Sequence, residues 1–124
     1  MITVLQLVLL TLLKMLHIDP LFRSPKLMSS DQGKITVAFD VDGCLITEDG
    51  YDRPRHEIIW ALMWFHKMGH LVFVWSGGGI PYAQQVVDKL NLTKYCRVVE
   101  KGAFKADVAF DDCEADLATV MIRV

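Results

Sequence analysis

Cysteine is scarce in this chain of 124 residues: Cys44, Cys96 and Cys113 are all it has, an odd number with no CxxC spacing. That excludes a disulfide framework and a thiolate zinc site, and reads as three reduced thiols of a cytoplasmic protein. Net charge is scarce too. The 13 Lys and Arg nearly balance the 15 Asp and Glu, leaving −2, and no basic stripe runs along the sequence. Stable nucleic-acid binding through phosphate attraction is therefore not expected, although a phosphorylated strand end stays admissible as a substrate. A membrane-length apolar run is missing as well: the one at the N-terminus stops at Lys14, short of the ~20 residues a span needs. No basic residues precede that run and no small-residue cleavage site follows it, so a secretion signal is not expected. His66 and His70 stand four apart but straddle Gly69 at an expected helix end, which makes them a poor zinc pair.

What the chain does have is apolar content, 52% against 23% charged, enough for one core and a single domain. Residues 1–33 read as an N-terminal amphipathic helix and connector, and 34–124 as the catalytic domain. Projected as a helix, Thr3, Gln6, Thr11, Lys14 and His17 fall on one side, leaving a broad apolar face that includes Leu9 and Leu12. Pro20, Pro25 and Gly33 mark the connector. From Lys34 strands and helices alternate. Strands are expected over Lys34–Phe39, His70–Trp75, Arg97–Glu100, Asp107–Phe110 and Leu117–Val124, and helices over Pro54–Met68, with Pro54 near its first turn, and Pro81–Leu90. Strands this apolar, alternating with helices, point to a five-stranded parallel sheet in a Rossmann-like three-layer α/β fold.

Chemistry-bearing residues stand at or just past the C-terminal ends of these strands, where open α/β sheets bind ligands. Asp40 and Asp42 are spaced i, i+2, on the same side of the chain, and Gly43 lets the backbone turn away. Such a pair can hold a hard divalent cation and keep one carboxylate free for phosphorus. Ser76, Gly77, Gly78 and Gly79 lead into a helix N-terminus, where a hydroxyl and free N–H groups suit phosphate oxygens. Asp111 and Asp112 end the fourth strand. Lys101, or in competition with it Lys105, is placed to neutralise a phosphoryl group.

These motifs resemble the haloacid dehalogenase-like superfamily, specifically its phosphatases, from about Lys34 to the C-terminus. FDVDGCL resembles the first motif, which makes Asp40 the nucleophile and Asp42 the acid/base. VFVWS resembles the second, with Ser76 as its hydroxyl. The lysine before ADVAFDD is best matched by Lys101, and VAFDD resembles the fourth motif, with Asp112 as metal ligand and Asp111 beside it. The resemblance implies a Mg²⁺-dependent phosphatase acting on a phosphate monoester, with Mg²⁺ held by Asp40, Asp42, Asp112 and Asp111, and Ser76, Gly77, Gly78 and Lys101 on the phosphate. It also implies strand order five-four-one-two-three.

The chain departs from the family pattern in three places. Cys44 replaces the usual Thr or Val, no Pro follows the lysine, and the link KGAFKA is too short for a helix. Six or seven extended residues can just cross three strand spacings, ~14 Å. One sheet face then lacks helices, and residues 2–17 are expected to cover it, a homodimer contact or a membrane surface being the other uses of that apolar face. No cap domain fits in either interval, so a phosphorylated polymer end or protein suits the open site as well as a small molecule. Residues Tyr51, Asp52, Arg53 and Arg55 offer a small local lid or a solvated loop. The alternatives in function are a catalytically weak binding or regulatory module and a receiver-type phospho-acceptor domain.

Overall fold

Val37, Ala38 and Phe39 are all fully buried, although successive residues of a strand face opposite sides of a sheet. Only a central strand covered on both faces satisfies that. In the computed structural model, which describes residues 33–124, this strand is β1 (Thr36–Asp40). It lies at the middle of a five-stranded sheet with β2 (Leu71–Trp75), β3 (Arg97–Val98), β4 (Ala106–Asp111) and β5 (Ala118–Arg123), in the order β3-β2-β1-β4-β5. Every pairing is parallel. Ile35–Val124 folds as one unit. The order is the one expected from the sequence, and it differs from the 2-1-3-4-5 order of receiver-type sheets, which removes that alternative.

Helix α1 (His56–Lys67) connects β1 to β2, and α2 (Ile80–Lys89) connects β2 to β3. Ile58, Ile59, Ala61, Leu62 and Phe65 recur at helical spacing and form the buried stripe of α1. Gly69, at φ +88°, ends it: its N–H donates to the His66 carbonyl and that of His70 to the Phe65 carbonyl. Pro54 lies outside this helix, contrary to expectation. It pairs with Ile46 across a small hairpin, and the helix starts after Arg55. Right-handed crossovers running the same way along the sheet place α1 and α2 on one face. There Phe39 stacks on Phe110 at 4.5 Å, and Phe65 meets both rings edge-on at 6.3 and 6.0 Å. Each buried ring contributes roughly 1.5–3 kcal/mol, and the aromatic geometry adds about 0.5–1.5 kcal/mol per pair.

The opposite face carries a buried cluster of Ala38, Trp75, Ala106, Ala109 and Ala118. The link from β3 to β4 contains no helix and passes this face. Its Phe104 ring sits 4.8 Å from Phe73 and 5.7 Å from Trp75, so the crossing segment anchors itself on β2. Strand β3 is shorter than expected because the chain turns at once, the Ala103 N–H reaching back to the Glu100 carbonyl. No inserted domain stands between β1 and β3, only the hairpin, α1, β2 and α2. No helix among the described residues is long and apolar enough to cross a membrane. The segment 2–17, expected to cover the second sheet face or serve as a dimer contact, lies outside the described residues.

His70 is a fold residue, not a zinc ligand candidate: its Nδ1 accepts the Ile35 N–H at 3.2 Å. Burial lowers its pKa, so the native state takes up the proton less readily than the unfolded chain. This contribution is therefore fully present above the ordinary histidine value of about 6.5 and is lost as pH falls through the lower native value. His70→Gln keeps an acceptor at every pH. Chemical denaturation at about pH 7.5 and about pH 5 should show the wild type losing up to about 1 kcal/mol relative to the variant; a constant difference contradicts the assignment.

Candidate active site

All five strands run the same way, so their C-terminal ends share one edge of the sheet. The buried polar or charged residues identified among the described residues are Asp40, Ser76 and Asp111, and all three stand at that edge. Asp40 ends β1, Ser76 follows β2 and Asp111 ends β4. Burying polar groups there is costly without partners, and a cation supplies one. Lys101, just beyond β3, places Nζ 3.2 Å from Asp40 Oδ1 and 2.9 Å from Asp111 Oδ2. Lys105 pairs instead with Asp116 at 3.3 Å on the exposed surface. Between the two lysines, the geometry brings only Lys101 to the carboxylates.

The electrostatics follow from this crowding. Burial, then the charge of Asp111, pushes the Asp40 pKa up to about 6 against the pull of Lys101. Burial also pushes Asp111 up, but the Cys113 thiol and N–H, each 3.1 Å from Oδ1, together with Lys101, outweigh it and hold the pKa low. For Lys101 burial favours the neutral amine, yet the two carboxylates dominate and keep it protonated. Asp111 Oδ2 is buried, and the Lys101 ammonium is its ion-pair partner.

The loop after β1 is wound tightly. The Val41 carbonyl accepts the N–H groups of Cys44, Leu45 and Ile46, and Asp42 bridges to Ile46. Gly43 adopts φ +76°, and a Cβ there would lie 2.2 Å from Asp112 Oδ2. Glycine thus lets the Asp112 carboxylate rest on the turn just after Asp42. Arg55 Nη1 donates to the Gly43 carbonyl at 2.6 Å, fastening this turn to the start of α1. Cys44 points inward, fully buried, with its thiol 3.5 Å from the Phe110 carbonyl.

Ser76 Oγ accepts the Gly78 N–H at 3.0 Å, and Gly79, at φ +98°, leads into α2. Gly77 is open, whereas a Cβ on Gly78 would lie 3.0 Å from the Tyr82 ring. That ring brings in a residue the sequence reading passed over: Tyr82 donates its hydroxyl to Asp42 Oδ1 at 2.6 Å. This hydrogen bond, with burial and the charge on Asp42, pushes the Tyr82 pKa up to about 12. Glu48 was missed as well. Its carboxyl meets that of Asp112 closely enough for a hydrogen bond to raise the Glu48 pKa. The cue for Tyr82 was an aromatic in the first turn of a helix that follows a triple glycine; the cue for Glu48 was an acid preceding the Asp49-Gly50 turn.

Asp111, Asp112 and Cys113 offer ligand atoms within 4.8 Å of one another. The surrounding donors are mostly hard oxygens, the class that Mg²⁺ and Ca²⁺ prefer. The facing carboxyls of Glu48 and Asp112, beside Asp111, fit such a cation. The chain matches no protein-family model and no curated protein.

Gly43→Ala should destabilise the fold by more than about 1 kcal/mol, since it combines a left-handed backbone with a steric clash. A urea midpoint equal to that of the wild type would show that Asp112 does not rest on this turn.

Proposed function

We propose that this chain is a Mg²⁺-dependent phosphatase that hydrolyses a phosphate monoester through an aspartyl-phosphate on Asp40. The observation that carries this reading is the contrast between two carboxylates on one loop. Asp40 is buried against Lys101 and Asp111, while Asp42 is held by a neutral hydroxyl, Tyr82. Two acids two residues apart in such different surroundings suit two different roles. The resemblance of FDVDGCL, VFVWS and VAFDD to haloacid dehalogenase-like phosphatases supports the same assignment.

In the first step an Asp40 oxygen attacks phosphorus in line, forming the aspartyl O–P bond as the P–O bond to the leaving group breaks. Protonated Asp42 gives its proton to the departing oxygen. In the second step the Asp42 carboxylate takes a proton from water, whose oxygen attacks phosphorus and releases inorganic phosphate and the Asp40 carboxylate. Ser76, the Gly77 and Gly78 backbone and Lys101 bind the phosphoryl oxygens and stabilise charge developing on them. Asp40, the Asp42 carbonyl, Asp112 and Asp111 would hold Mg²⁺, which supplies charge neutralisation between the nucleophile and the phosphoryl group. With no domain inserted between β1 and β3, both phosphorylated small molecules and phosphorylated polymer ends are admissible substrates.

The test is Mg²⁺-dependent phosphate release from p-nitrophenyl phosphate and from a panel of phosphorylated metabolites, nucleotides and oligonucleotide ends. Asp40→Asn should lose at least about a thousandfold in kcat while unfolding at the same temperature as the wild type. Wild-type turnover in that variant refutes the nucleophile; silence of a folded, Mg²⁺-binding wild type turns the assignment to a binding or regulatory module. Tyr82 acts through Asp42 and is a positioning residue. Tyr82→Phe should cut kcat about tenfold or more for an alkyl ester, whose leaving oxygen needs a proton, and little for p-nitrophenyl phosphate, whose does not. An equal loss on both substrates would mark Tyr82 as merely structural.

A further inference from the structure

A groove of about 260 Å³ lies along α2. Ile46, Pro54 and Val86 give it apolar walls, and Gln85 and Lys89 contribute exposed polar side chains. Tyr82 lines it too, and through Tyr82 the groove adjoins the proposed acid/base: the same hydroxyl donates to Asp42. A second lining residue repeats the connection, since Ile46 bridges to Asp42 through the backbone. The concavity therefore begins beside Asp42, on a wall built jointly by the hairpin and α2.

Resting on the phosphatase reading, the direction of the leaving group follows from chemistry. The acid that protonates the leaving oxygen must touch it, and in-line displacement puts that oxygen on the side away from the nucleophile. Whatever the oxygen carries must extend past Asp42, where, among the described residues, this groove offers a concavity. Its volume falls just under the roughly 300–1,000 Å³ of sites for drug-sized molecules, which suits one ring and its substituents better than an extended chain.

We propose that this groove receives the leaving group, and that the substrates are phosphate monoesters of a ring-bearing alcohol. The ring lies against Ile46, Pro54 and Val86, and its polar substituents meet Gln85 and Lys89. A free ring-bearing metabolite and the terminal residue of a phosphorylated polymer present the same chemistry. The hairpin thus has two parts with separate roles. Its tip is solvated, with Tyr51 74% exposed under the Arg53 guanidinium, while Ile46 and Pro54 at its base shape the site.

The experiment compares benzyl phosphate with ethyl phosphate, two alkyl esters that both need a proton at the leaving oxygen. In the wild type kcat/KM should favour the benzyl ester by about tenfold or more. Gln85→Trp fills the groove from an exposed position and should cut the benzyl-over-ethyl preference in kcat/KM about tenfold, through a higher KM for benzyl phosphate. The ethyl ester serves as the control for folding. No wild-type preference, or an equal effect of the variant on both esters, overturns the groove assignment while Asp40-dependent turnover persists. Absence of Asp40-dependent turnover with either ester removes the phosphatase reading itself, and so is distinguishable from failure of the groove alone.

Discussion

The ammonium of Lys101, set between the carboxylates of Asp40 and Asp111 at 3.2 and 2.9 Å, is the interaction on which the rest of this site depends. Two buried carboxylates on adjacent strands cannot both ionise without a cation between them. Even with Lys101 in place the Asp40 pKa reaches about 6. Two negative charges against one positive leave the cluster short of positive charge, and Asp112 and Glu48 add further oxygens at its edge. On the proposed reading these oxygens would hold a hard cation, and Lys101 would meet the phosphoryl group.

The topology supplies this interaction with very little chain. Because β1 lies between β2 and β4, the ends of three strands meet at one edge, and the short link that starts at Lys101 travels directly from β3 to β4. Phe104 holds that link against Phe73 and Trp75, where a longer crossover would use a helix. Economy of the same kind marks the loop after β1. Its turn is closed by the Val41 carbonyl, clamped by Arg55 and left open at Gly43 for Asp112, and it continues into the hairpin that forms one wall of the groove. With no domain inserted between β1 and β3, the described residues thereby still form a concave surface beside Asp42.

The sheet and its acids were legible in the sequence because both follow local patterns. Apolar strands ending in Asp40, Ser76 and Asp111 identify themselves by composition and position, and the strand order followed from the family resemblance. The lysine was open in the sequence because Lys101 and Lys105 are equivalent by charge and nearly so by position; only the turn at Glu100–Ala103 directs one to the site and the other to Asp116. Pro54 was misplaced because a first-turn proline and a hairpin proline look alike until Ile46 is known to pair with it. Tyr82 is forty residues from Asp42, and nothing local to either announces a hydrogen bond between them. Glu48 reads as an ordinary surface charge for the same reason, and Arg55 as part of a lid or solvated loop, although its guanidinium fastens the turn at Gly43.

Whether Asp40 carries the phosphoryl group between the two proposed steps is decided by trapping that group. In Asp42→Asn with Mg²⁺ and p-nitrophenyl phosphate, the first step needs no proton donor and the second lacks its base, so the intermediate should accumulate. Acid quenching followed by peptide mass spectrometry should then find one phosphoryl group, on the peptide that contains Asp40. Release of p-nitrophenol with Asp40 unmodified, or with the phosphoryl group on another residue, would contradict the account.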